Sequence, residues 1–135
     1  MAKVIEKAGV TYIHRHDDIH EFIFTDESDE TLDYFFKTMK RLMLESSSED
    51  VYCYLVDLTR SSNPAPMRKL AKRFRQLQVE APQSAAGCTA VVHDRFIMLT
   101  LVNTLLDTLT RKQDNVRFFK HADRDDAIAW LHANR

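Results

Sequence analysis

The chain switches between two hydrophobic rhythms: short runs with apolar residues close together or at alternate positions, and longer stretches where they recur every third and fourth. Val10–His14 and Ile19–Phe24 are of the first kind and flank the polar turn Arg15-His16-Asp17-Asp18, which predicts an opening β-hairpin. In the second strand Ile19, Glu21 and Ile23 share one face and His20, Phe22 and Phe24 the other, so partial burial on both sides is expected. Residues 26–30 then supply an Asp or Ser cap and first-turn acids. Leu32, Phe35, Phe36, Met39, Leu42 and Met43 follow at helical spacing, predicting one buried stripe to about Leu44, with Ser46-Ser47-Ser48 as the exit.

Residues 51–58 are apolar almost throughout, as expected of a central strand covered on both faces. Pro66 suits the first turn of the next helix, whose inner stripe is Met67, Leu70, Ala71, Phe74 and Leu77 and whose outer side is basic; Pro82 closes it. Gly87–His93 predicts another strand, 96–110 a third helix and 116–119 a last short strand. Residues 123–126 cap a closing helix with Ala127, Ile128 and Leu131 inward and Trp130 beside them. The order β-β-α-β-α-β-α-β-α predicts an α/β domain with about five strands. The sheet is mostly parallel, with one early strand antiparallel at an edge and four helices packed on it.

Composition narrows the class. With 135 residues and 44% hydrophobic content the chain is sized for one domain that folds unaided, and a formal charge of −1 gives no global attraction to nucleic acid. No aromatic residue is interleaved on the basic face of the second helix, which also argues against nucleic acid. Cys53 and Cys88 each sit in an apolar strand, outside any zinc or redox spacing, which suits a reduced cytoplasm and argues against nucleophilic thiols. No apolar stretch is long enough to span a bilayer, and no secretory h-region follows the first residues, so a cytoplasmic location is expected.

The candidate site is the junction after the central strand. Asp57, Thr59, Arg60, Ser61, Ser62 and Asn63 lead to Pro64-Ala65-Pro66 and the helix that carries Arg68, so hydroxyls and helix-start N–H groups meet beside arginines. That arrangement suits an anion or a phosphorylated hydroxyl, while plain capping by Ser62 or Asn63 and turn anchoring by Asp57 account for the same residues without a ligand. Arg60, Arg68, Lys69, Lys72, Arg73 and Arg75 suit an acidic partner or phosphorylated ligand, or a solvated helix face. His14, His16 and His20 with Asp17, Asp18 and Glu21 lack a second spaced ligand pair, so neither a metal nor a cofactor is expected. Residues 96–109 are apolar on more than one side. Ile97, Leu101 and Leu105 therefore predict either a homodimer seam or the wall of an apolar cavity, unless the helix is sandwiched inside the monomer.

The element order, with Leu55-Val56-Asp57-Leu58-Thr59 entering the loop and Phe118-Phe119-Lys120 followed by Asp125-Asp126-Ala127-Ile128-Ala129-Trp130-Leu131, resembles the SpoIIAA-like, or STAS/Sec14-like, family of small bacterial proteins. The resemblance implies a STAS-type fold serving as an interaction or ligand-sensing module. In anti-sigma factor antagonists of this fold, a serine at the corresponding helix start is phosphorylated. Here that region holds Ser61 and Ser62, and the antagonists' Asp-Ser-Ser-Gly-type motif is replaced by Arg60-Ser61-Ser62-Asn63-Pro64-Ala65-Pro66, with no glycine. Sec14-like relatives carry lipids, which makes a lipid-like ligand walled by Phe22, Phe24, Phe35, Phe36 and Phe74 the alternative. No paired nucleophile and base is present, and Gly9 and Gly87 are the only glycines, so no phosphate-cradling loop forms; the expectation is a non-enzymatic regulatory module.

Overall fold

The computed structural model describes residues 3–45, 52–61, 67–80, 87–94 and 115–134. They form a six-stranded sheet whose strands lie side by side in chain order: β1 (Lys3–Lys7), β2 (Val10–His14), β3 (Ile19–Phe24), β4 (Tyr52–Asp57), β5 (Gly87–His93) and β6 (Asn115–Lys120). β1, β2 and β3 pair antiparallel, and β3 through β6 pair parallel. The class is α/β and β4 is interior, as the apolar run 51–58 predicts. The strand count is six rather than five, because β1 precedes the predicted hairpin. Its Lys3, Glu6 and Lys7 interrupt any apolar alternation, as suits an exposed edge strand.

Three α-helices lie among the described residues: α1 (Asp29–Glu45), α2 (Met67–Glu80) and α3 (Arg124–Ala133), the last preceded by a 3-10 turn at His121–Asp123. The helix predicted at 96–110 lies outside the described residues, and with it Ile97, Leu101 and Leu105. α1 and α2 cover one face of the sheet. There Val10, Tyr12, Phe22, Phe24, Tyr54 and Val56 meet Leu32, Phe35, Phe36, Met39, Leu42 and Leu77. Phe35 lies edge-on to Phe22, Phe24 and Phe36, each at 5.0 Å between ring centroids, so these phenylalanines pack on one another.

α3 covers the other face. Ala127 and Leu131 pack on Ile19, Cys53, Leu55, Cys88, Ala90 and Val92, with Trp130 against Phe119. Small side chains at 53, 88 and 90 let the helix backbone approach the sheet. The Cys53 and Cys88 thiols, not joined in a disulfide, donate to carbonyls at the C-terminal end of α3, at 3.6 Å to Leu131 O and 3.2 Å to Asn134 O.

The start of α1 is tied to the β1–β2 turn. Ser28 Oγ accepts from the Thr31 N–H, Asp26 Oδ1 accepts from the Ser28 N–H at 2.9 Å and the Thr31 hydroxyl at 2.8 Å, and the Gly9 N–H donates to Thr31 Oγ1 at 2.8 Å. The donors hold the Asp26 carboxyl below the usual carboxylate range, the Ser28 backbone N–H contributing most. A β-carbon at Gly9 would meet the Asp26 carboxylate, so any larger residue here must push Asp26 away from the Ser28 and Thr31 donors.

Candidate functional site

Burial of β4 up to Asp57 delivers the following loop to the carboxyl rim of the parallel strands, where open α/β sheets place ligands. Asp57 is itself buried. Its Oδ1 accepts from the Thr59 N–H at 2.9 Å and the Thr59 hydroxyl at 2.6 Å, closing an Asx-type turn, and its Oδ2 accepts from Arg124 Nη1 at 3.1 Å. The loop is fixed twice more. The Leu58 N–H donates to Val92 O at 2.9 Å, and the Ser61 hydroxyl donates to Oε2 of the buried Glu27 at 2.5 Å. Arg60 stands exposed between these anchors.

The sequence therefore brings Asp57, Thr59, Arg60 and Ser61 together at one rim. Ser62 and Asn63 lie outside the described residues; Arg68 lies in α2, and its side chain is outside them as well. The hydroxyls meet carboxylates: Thr59 turns to Asp57 and Ser61 to Glu27. Glu27 escapes sequence reasoning because it reads as one more acid before a helix, and only the fold sets it against a residue 34 positions later.

The basic character of α2 is partly spent on α1. Lys69 pairs with Asp29 and Arg73 with Asp33, the Arg73 guanidinium also lying over the Phe36 ring, and Lys40 pairs with Glu80 at 3.5 Å. Arg60 and Lys72 remain exposed. These pairs tie the two helices that cover the same sheet face.

Behind the rim runs a chain of charges alongside α3. Arg124, the first residue of α3, donates to both Asp57 and Glu21, whose carboxylates are only 7% and 4% exposed. Glu21 also meets Arg15 Nη1 at 3.5 Å; Arg15 binds Asp17 through Nε at 3.0 Å and Nη2 at 3.1 Å; Asp17 meets His132 Nε2 at 3.1 Å. Burial works to raise the Asp17 carboxyl, but the hydrogen bonds and charge of Arg15 outweigh it and hold the group below its ordinary value. Glu21 interrupts the apolar face of Ile19 and Ile23, and that break is the sequence signal of a buried charge needing partners. β3 is accordingly more buried than the partial burial its alternation suggests.

On the opposite face the hairpin sets His14 across from His20, and the ligand-capable atoms of His14, Asp18 and His20 lie within 4.8 Å of one another. Spacing along the chain hides this cluster because cross-strand pairing assembles it. Burial lowers His20 to about 4, with His14 adding to the shift, and pushes the Tyr12 hydroxyl up to about 12.

Among the described residues no helix is long and apolar enough to cross a membrane. Compared with known proteins, the chain matches the family model described as SpoIIAA-like over residues 16–132. No curated protein and no solved structure matches it.

Proposed function

Because the chain belongs to the SpoIIAA-like family, whose domains are in general non-enzymatic STAS-type regulatory modules, we propose that it regulates by docking a protein partner at the rim formed by Asp57, Thr59, Arg60 and Ser61. Ser62, Asn63 and Arg68 are assigned to the same surface from the sequence. The observation that carries this reading is the double anchoring of the loop, Thr59 on Asp57 and Ser61 on Glu27, which presents Arg60 on a preorganised support. With Lys72 also exposed and Lys69 and Arg73 engaged on α1, the surface favours a partner with a modest acidic patch.

A partner fits better than a free anionic ligand, since Glu27 and Asp57 both turn carboxylates toward the loop and would repel a dianion seated there. The same repulsion gives a phosphate on Ser61 a definite effect: it replaces a hydroxyl donor with an acceptor group of about −2 charge against Glu27, so the loop must open. Ser61 and Ser62 are the proposed acceptors. We further assign self-association to the apolar segment carrying Ile97, Leu101 and Leu105, on the sequence pattern alone.

The test is copurification of a tagged chain from its own cells. Arg60→Glu and Ser61→Asp are expected to lose a protein that the wild type and Lys37→Glu, changed on the exposed side of α1, both retain. Retention of every partner by Arg60→Glu and Ser61→Asp would remove the rim as the docking surface.

A further inference from the structure

The β2–β3 hairpin assembles a second group of side chains on the face away from α3. His14 and His20 are direct cross-strand partners, their rings 4.6 Å apart between centroids with planes 19° from parallel. Asp18, in the turn between them, adopts a left-handed conformation at φ 64° that brings its Oδ1 to 2.7 Å from His14 Nε2. We propose that His14, Asp18 and His20 form a binding site for a borderline divalent cation of the zinc class, held by two imidazole nitrogens and one carboxylate oxygen with the remaining positions open to water.

The donor set carries the choice of ion. Two imidazoles with one carboxylate suit zinc and its late first-row neighbours, whereas calcium and magnesium require mostly oxygen ligands. The outer shell fits as well. Tyr12 Oη lies 2.7 Å from His20 Nδ1; with that nitrogen protonated and donating to the phenol oxygen, Nε2 keeps its lone pair for a metal. Tyr52 stacks on the His20 ring at 5.2 Å, holding it in place, while His14 is half-exposed and Asp18 exposed, so an ion can reach both from solvent. Binding must break the His14–His20 stack, because nearly parallel rings do not aim their lone pairs at one point. Arg41 of α1 also faces this end of the sheet, where Glu45 pairs with it at 3.7 Å.

Zinc chloride titrated into the full chain, followed by calorimetry and by the imidazole carbon-bound proton resonances, tests the site. One saturable zinc equivalent is expected, weakened about tenfold or more by His14→Ala, by Asp18→Asn and, through the outer shell, by Tyr12→Phe. Magnesium and calcium are expected to give no heat. His14 and Asp18 lie outside the core, so these two variants keep the fold, which circular dichroism verifies. The proposal is overturned if no saturable equivalent binds. It is equally overturned if zinc binds unchanged in both His14→Ala and Asp18→Asn, which places the ion elsewhere on the chain.

Discussion

Replacing Arg124 with methionine keeps the length of an apolar stem and removes the guanidinium that bridges Asp57 and Glu21. Both carboxylates are almost wholly buried, so the variant leaves charge without its partner in a poorly solvated place. Breaking such a pair costs about 3–5 kcal/mol. Two features push toward the lower end: Arg124 is 29% exposed, and Glu21 retains Arg15 at 3.5 Å. We therefore expect a loss of about 3 kcal/mol, concentrated on Asp57, which among the described residues then keeps Thr59 alone. Urea unfolding followed by fluorescence reads it directly, since Trp130 is the chain's one tryptophan and lies in α3 against Phe119. The midpoint should fall without a change in slope, and amide exchange at Thr59 should quicken, because Asp57 then loses the partner that orients it. Adding Asp57→Asn to Arg124→Met should recover part of the loss, as the second change removes the stranded charge. A cost below about 1 kcal/mol, the range of an exposed pair, or no recovery in the double variant, would refute the claim that Arg124 holds the rim.

Two further outcomes follow from the α1 start. Gly9→Ala must push the Asp26 carboxylate off its Ser28 and Thr31 donors, so it should cost about 1–3 kcal/mol, measured by thermal unfolding; an unchanged midpoint would mean that Asp26 moves aside without loss and does not hold the start of α1. Asp26 is held below the ordinary carboxylate range, so the unfolded chain binds its proton first as pH falls. Its contribution is therefore full above about pH 4 and lost as pH drops through the depressed value. Urea midpoints measured from neutral pH to about pH 3 should show a shallower acid decline in Asp26→Asn than in wild type, and equal declines would contradict the assignment.

Much of the fold is legible locally. β2, β3 and β5 begin and end where the apolar runs do, and α1 carries Leu32, Phe35, Phe36, Met39 and Leu42 on its buried side as the helical spacing requires. Asp123 stands at the predicted start of α3 but makes no side-chain cap hydrogen bond, being the last residue of the 3-10 turn that runs into the helix. β1 is hidden because an exposed edge strand needs no apolar period. The site is half legible: a polar loop after a buried strand marks Asp57 and Ser61, but nothing near them in the chain indicates Glu27 or Arg124.

What the sequence determines by itself is the succession of elements, since strand, helix and turn depend on the spacing of apolar side chains and on caps within a few positions. Tertiary structure decides which charges meet. Arg124 reaches Glu21 across 103 positions, Arg73 reaches Asp33 across 40, and His20 comes to face His14 through hairpin register. Charge pairing has no local period; it is settled by the stacking of helices on the sheet and by the cost of leaving a buried carboxylate alone, so it appears only once the chain has closed on itself.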